Sequence, residues 1–247
     1  MPREPMREEI TPLFRRIIGG LRPVMQGVTR QEWSGGEHLP REGGFVLAAN
    51  HVSYTDPLTL GHFLVDHGRA PHYLAKSSLL DVPGLGHVIR GTGQIPVYRN
   101  TVRAVDALTA AIQAVREGAC VVVMPEGTLT RDPGLWPMAG KTGAARIALE
   151  TDCPLIPVAM WGTQDLLWPY RGKVPKLLPR KTIRIQAGPP VDLSDLARPY
   201  DSATLRTATE RLMAAITTQL ETIRGERAPA ERFRPAGPGR ADGEARS

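Results

Sequence analysis

Only two of the 247 residues are cysteines, Cys120 and Cys153. Their spacing fits no metal motif, and each lies within or beside an apolar run, which reads as two buried free thiols in a reducing compartment. There is no stretch of about 18 consecutive apolar residues, the length a membrane-spanning helix needs. The arginine-rich, proline-broken N-terminus carries no signal-peptide pattern. No G-x-S-x-G nucleophile elbow occurs. His38, His62, His67, His72 and His87 form no ligand spacing, so no metal is expected. Acids are missing from residues 171–184, which hold Arg171, Lys173, Lys176, Arg180, Lys181 and Arg184. No aromatic–basic interleaving or nucleic-acid motif accompanies these cations. That turns the reading from nucleic acid toward an anionic lipid surface or a phosphorylated donor.

What is present is an excess of positive charge, +6 with a pI near 9.7, and a regular succession of apolar runs. The length suits one or two domains, and the absence of a long internal linker favours one. Ile10, Leu13, Phe14, Ile17, Ile18 and Leu21 mark one face of an N-terminal helix, with arginines between them. Two readings of that helix stand level: a membrane-interface helix over residues 1–27, or an ordinary core-packing helix with a basic outer face. Gly19-Gly20 and Pro23 are expected to bend or end it. Short strands are expected at 28–33, 45–49, 72–76, 93–99, 119–124, 155–160 and 182–187. Helices are expected at 57–67, 101–117, 140–152 and 202–224. The tail from Gly225, rich in Pro, Gly, Ala, Arg and Glu, reads as disordered. The fold class is thus α/β: one domain over 28–224 with a central mixed, largely parallel sheet flanked by helices.

The chemistry centres on Asn50-His51-Val52-Ser53-Tyr54-Thr55-Asp56-Pro57, where a buried strand turns into a helix. An imidazole takes a proton from a hydroxyl near neutral pH. A carboxylate beside it holds the ring and stabilises the imidazolium. Without a nucleophile of its own, such a pair implies that the substrate brings the hydroxyl. Asp56-Pro57 taken alone also reads as a helix cap. Pro125-Glu126-Gly127-Thr128 leaves a second buried strand at the same kind of strand end, where open α/β sheets bind ligands. Lys76 and Arg99 each close a strand and are suited to a phosphate. Backbone N–H groups at the helix start after His51 are candidate oxyanion donors.

Four stretches in order, Asn50-His51 through Asp56, Gly93 through Arg99, Pro125 through Thr128, and Leu155 through Val158, resemble the four motifs of the glycerolipid acyltransferase family. Lys76 through Gly86 is similar to that family's lysine–proline–glycine segment. The resemblance covers roughly residues 10–224. It implies transfer of a fatty acyl group from an acyl thioester to the free hydroxyl of 1-acyl-sn-glycerol 3-phosphate. Another lyso-lipid or glycerol 3-phosphate is the alternative acceptor. It further implies His51 as base, Asp56 as its orienting partner, Lys76 and Arg99 on the acceptor phosphate, and Glu126, Gly127 and Thr128 around the acceptor's head. No cofactor is implied; acyl-CoA or an acyl-carrier-protein thioester is the co-substrate. The setting it implies is the cytoplasmic face of the cell membrane, peripheral or monotopic. The chain departs from the pattern at Met124, where an aromatic is common, at Leu129, where an arginine is common, and at Pro96. Arg131 is a substitute for the missing arginine in position only.

Overall fold

A computed structural model describes residues 4–6, 9–97, 104–170 and 174–234. Among the described residues seven strands form one sheet: β1 Thr29–Ser34, β2 Phe45–Ala49, β3 Pro71–Lys76, β4 Ile95–Val97, β5 Cys120–Val123, β6 Leu155–Trp161 and β7 Lys181–Ala187. Their order is β1-β7-β6-β2-β5-β3-β4. The five strands from β6 to β4 are mutually parallel, β7 is antiparallel to β6, and β1 is parallel to β7. The mixed, largely parallel α/β sheet is therefore present, and Pro96 sits on its edge strand, where a missing N–H costs no ladder bond.

The helices are α1 Pro12–Val28, α2 Asp56–Asp66, α3 Leu85–Gly91, α4 Ala104–Arg116, α5 Gly143–Thr151, α6 Thr163–Leu166 and α7 Ser202–Arg224. The side chains of β2 are buried on both faces of the sheet, as the continuous run Phe-Val-Leu-Ala-Ala requires. Phe45, Leu47 and Ala49 join Leu60, Phe63 and Leu64 of α2. Val46 and Ala48 join Ala144, Ile147 and Ala148 of α5 and Leu212, Met213 and Ile216 of α7. Below this sheet the buried Arg69 guanidinium donates to the carbonyls of Pro40, Gly43 and Gly118 at 2.6–2.9 Å and lies over the Phe45 ring. It ties three loops together at the N-terminal ends of β2 and β5.

Several expectations are corrected. Pro23 does not end the first helix, which runs to Val28. Gly19, Gly20 and Pro23 all face outward, while Ile18 and Met25 are buried on the inner face, so burial outweighs the local breakers. That inner face packs on α2, α3 and β1, and Arg22 donates to Asp66 at 2.8 Å. Of the apolar stripe, Ile18 is buried and Ile10, Leu13, Phe14, Ile17 and Leu21 are half-buried; Arg15, Arg16 and Val24 lie on the outside. The segment after Gly225 does not leave the domain at once. Ala228 joins Trp136, Ala159 and Leu220, Ala139 N–H donates to the Phe233 carbonyl at 3.2 Å, and Arg232 pairs with Glu210. Residues 235–247 lie outside the described residues. Cys120 is buried but Cys153 only half so, and both are free. α3 and α6 were not anticipated, being too short for a helical period to show.

Candidate active site

The five parallel strands present their C-terminal ends along one edge, and the segments after β2 and β5 meet there. Asn50, the first residue past β2, is pinned to β6: its Nδ2 donates to the Met160 carbonyl at 3.0 Å and its Oδ1 accepts from Met160 N–H at 2.8 Å. His51 is then gripped through its backbone. Its N–H donates to Glu126 Oε1 at 3.0 Å, and its carbonyl accepts from Thr130 N–H at 2.7 Å. With the main chain fixed at both ends, the direction of the ring is set by one side-chain contact, Nδ1 to Asp56 Oδ2 at 2.8 Å.

Asp56 is fully buried, and its Oδ2 also accepts from Val52 N–H at 2.7 Å and Ser53 N–H at 2.8 Å. The helix begins at Asp56 itself with Thr55 as the preceding cap residue, so the carboxylate points back toward His51 and does not cap α2. Nor do the N–H groups of Val52 and Ser53 serve an oxyanion, because they hold Asp56. A carboxylate accepts only, so His51 Nδ1 must carry the proton and Nε2 the lone pair. The ring side chain keeps 17% of its surface open while Asp56 keeps none, so the accessible part of the pair is the imidazole. Among the described residues, Asp56 is the one polar partner of that ring. The nearby Ser53 hydroxyl is committed to the Leu167 carbonyl at 2.8 Å. Among the described residues the site therefore offers a base and no nucleophile.

Glu126 stands directly behind the base. It is 3% exposed, with Oε1 on His51 N–H and Oε2 on Met138 N–H at 2.9 Å. Burial pushes its carboxyl up to about 8, against the lowering pull of the Met138 and His51 N–H groups. It braces the base through the His51 N–H. Gly127 has φ +72, and a Cβ there would lie 2.9 Å from Lys141 Nζ. Its lack of a side chain lets Lys141 lie across the loop. Thr128 is half-buried beside it. Thr130, which sequence reasoning passed over, locks the same loop through His51 and through its own hydroxyl, which donates to the Trp136 carbonyl at 2.7 Å. Thr130 holds His51, and Met138 holds Glu126, through backbone N–H groups, which leave no side-chain signature in a sequence, whereas Asn50 acts through its side-chain amide.

Lys76 ends β3 with its backbone at the register of Asn50, one strand removed from β2 by β5. At a strand spacing near 4.8 Å that sets it roughly 10 Å away along the same edge. Its side chain and the whole of Arg99 lie outside the described residues. Leu129 is buried, and its carbonyl accepts from the Tyr170 hydroxyl at 2.7 Å. Arg131, two residues on, is exposed.

The model of the Acyltransferase family matches residues 30–161, just over half of the chain. A chloroplastic 1-acyl-sn-glycerol-3-phosphate acyltransferase, BAT2, of Brassica napus is 32% identical over 133 residues, 53% of this chain and 37% of its own. A 1-acyl-sn-glycerol-3-phosphate acyltransferase of Borreliella burgdorferi is 32% identical over 133 residues, 53% of this chain and 51% of its own. One from Bacillus subtilis is 29% identical over 176 residues, 71% and 81%. The chain thus spans 37% and 51% of the length of the first two relatives. The crystal structure of the 1-acyl-sn-glycerophosphate acyltransferase PlsC from Thermotoga maritima shares the fold, with a TM-score of 0.65 over 87% of this chain and 83% of that one at 24% identity.

Proposed function

The chain belongs to the acyltransferase family, and we propose that within it the protein moves a fatty acyl group from an acyl thioester to the free hydroxyl of 1-acyl-sn-glycerol 3-phosphate, giving phosphatidate. The observation that carries this reading is the His51–Asp56 pair: a buried carboxylate fixes the tautomer, and Nε2 is left to a hydroxyl that the protein does not supply. The names of the relatives supply the acceptor.

In the reaction, Nε2 of His51 accepts the proton as the acceptor oxygen attacks the thioester carbonyl. Asp56 stabilises the imidazolium through the Nδ1–H bond. The tetrahedral intermediate collapses, the C–S bond breaks, and the proton on Nε2 neutralises the departing thiolate. General-base catalysis of this kind contributes about 10²- to 10⁴-fold, and the clamped backbone of His51 adds positioning. The donor is acyl-CoA or an acyl-carrier-protein thioester.

The acceptor is an amphiphile, which supports a peripheral position on a membrane surface; the cytoplasmic face is part of the proposal. No helix among the described residues is long and apolar enough to cross a bilayer. The rim of the site carries exposed apolar residues instead: Tyr54 and Leu58 beside Asp56, and Trp168 and Tyr170 on the segment that Ser53 and Leu129 hold in place. Aromatic side chains of this kind suit a lipid–water boundary.

The test is acyl transfer from labelled acyl-CoA to lysophosphatidate in mixed micelles, wild type beside His51→Ala. Phosphatidate from the wild type and its loss in the variant support the reading. Turnover by the variant at near wild-type rate removes His51 as base. Donor consumption without any acceptor makes the protein a thioester hydrolase.

A further inference from the structure

Lys141 has no role in the reaction described so far, yet it lies on the loop that clamps the base. Its backbone N–H donates to the Pro125 carbonyl at 2.8 Å, which fixes it beside the Pro125-Glu126-Gly127 turn. Its Cδ, Cε and Nζ all pass over Gly127, within 2.9–3.2 Å of where a Cβ would stand. The preceding residue, Glu126, holds the N–H of His51. Among the described residues no carboxylate pairs with this ammonium. Glu126 has both oxygens on backbone N–H groups, and burial keeps it in the acid form up to about pH 8.

An exposed lysine with no partner ordinarily extends into water and keeps its rotamer freedom. This one lies flat across a glycine whose left-handed backbone, φ +72, leaves room for it. Leu129 is aliphatic and buried, so it brings no charge to the loop. We propose that Lys141 is the cation of this loop that receives a substrate phosphate and thereby positions the substrate's hydroxyl or thioester against His51. A lysine ammonium meets a phosphate as a point charge with three donors. The phosphate has two possible sources, the monoester of the acceptor or the nucleotide phosphates of an acyl-CoA donor, and the reading favours the acceptor. The assignment rests on the proposed acyl transfer for its catalytic meaning, but its binding component is separately measurable.

The variants are Lys141→Met, which keeps the apolar stem, and Lys141→Arg, which keeps the charge. The first experiment titrates short-chain lysophosphatidate, and separately coenzyme A, into wild type and both variants by calorimetry. Affinity for one of them is expected to fall about 10- to 100-fold in Lys141→Met, the loss of one charge-assisted contact, and to return in large part in Lys141→Arg. The second measures KM and kcat for lysophosphatidate against monoacylglycerol, which has no phosphate, with acyl-CoA against acyl-pantetheine as donor. A rise in KM confined to lysophosphatidate, with kcat nearly unchanged, assigns the acceptor phosphate; a rise confined to acyl-CoA assigns the donor's. Equal affinities in wild type and Lys141→Met, or no binding of either ligand to wild type, overturn the proposal. If binding weakens as expected but no phosphatidate ever forms, the acyl-transfer reading fails and the phosphate site stands.

Discussion

Asp56 does two jobs with one oxygen, and two substitutions separate them. Oδ2 accepts from His51 Nδ1, Val52 N–H and Ser53 N–H, in a position with no solvent exposure. Asp56→Asn keeps an oxygen there, because the other orientation would set an amide NH2 against three donors. What it loses is the charge. An opposite charge about 4 Å from the imidazolium is worth about 4 kcal/mol at an effective dielectric near 20, and part of that develops in the transition state. We expect kcat to fall about 10²- to 10³-fold. The amide NH2 replaces Oδ1, which has no hydrogen-bond partner among the described residues, so stability falls by about 1–3 kcal/mol. Asp56→Ala instead leaves two buried N–H groups unpaired, about 2–6 kcal/mol. In a chain of this size each kcal/mol lowers Tm by about 2–4 °C. The assays are steady-state kinetics and thermal unfolding on all three proteins. Activity of Asp56→Asn within a few-fold of wild type would show that the carboxylate only fills the turn. An Ala variant as stable as the Asn variant would show that the two N–H groups find other partners.

Other expectations follow from the same geometry. Glu126, held near 8 by burial, has a folded pKa above its unfolded value of about 4.3. Between these the folded chain keeps a proton that the unfolded chain has released, so stability should fall as pH rises through that window, by up to about 5 kcal/mol. Urea midpoints at pH 6 and pH 9 should converge for Glu126→Gln relative to wild type; an identical pH dependence in the two proteins contradicts the burial argument. Arg69→Ala removes three hydrogen bonds to carbonyls and a stacked cation at the end of the sheet far from His51. It should cost about 3 kcal/mol or more while leaving kcat per folded molecule unchanged; a selective loss of kcat at full stability would link that end to the site. His51→Ala should lose about 10²- to 10⁴-fold in kcat with little change in Tm, since its backbone bonds to Glu126 and Thr130 survive.

The sequence was informative where a side chain's own chemistry or a period carried the signal. The continuous apolar run Phe45–Ala49 can only be satisfied by burial on both faces, and it forms a central strand. His51 and Asp56, five residues apart across a strand-to-helix turn, were legible as a pair because short-range geometry brings them together, and they meet at 2.8 Å. The edge position of β4 followed from Pro96. What the sequence did not show depended on partners distant in the chain. Glu126 is an acid on a strand end, and nothing local says that both its oxygens are taken by His51 and Met138, 75 residues before it and 12 after it. Thr130 clamps His51 through a main-chain bond that any sequence would allow, and the Asn50 side-chain amide reaches Met160, 110 residues away. Pro23 looks like a stop until the buried inner face of α1 is counted.

The sequence by itself determined the α/β alternation, the strand-end placement of His51, and the tautomer that Asp56 imposes, because these rest on periodicity and on contacts within a few residues. Only the tertiary structure decided that Asp56 turns away from its own helix, that Glu126 supports the base from behind, and that Ile18 and Met25 of the N-terminal helix are buried. It also decided that Lys141 crosses Gly127. Each of these depends on which distant backbone N–H or apolar surface arrives to compete, and that competition is resolved only when the sheet has assembled.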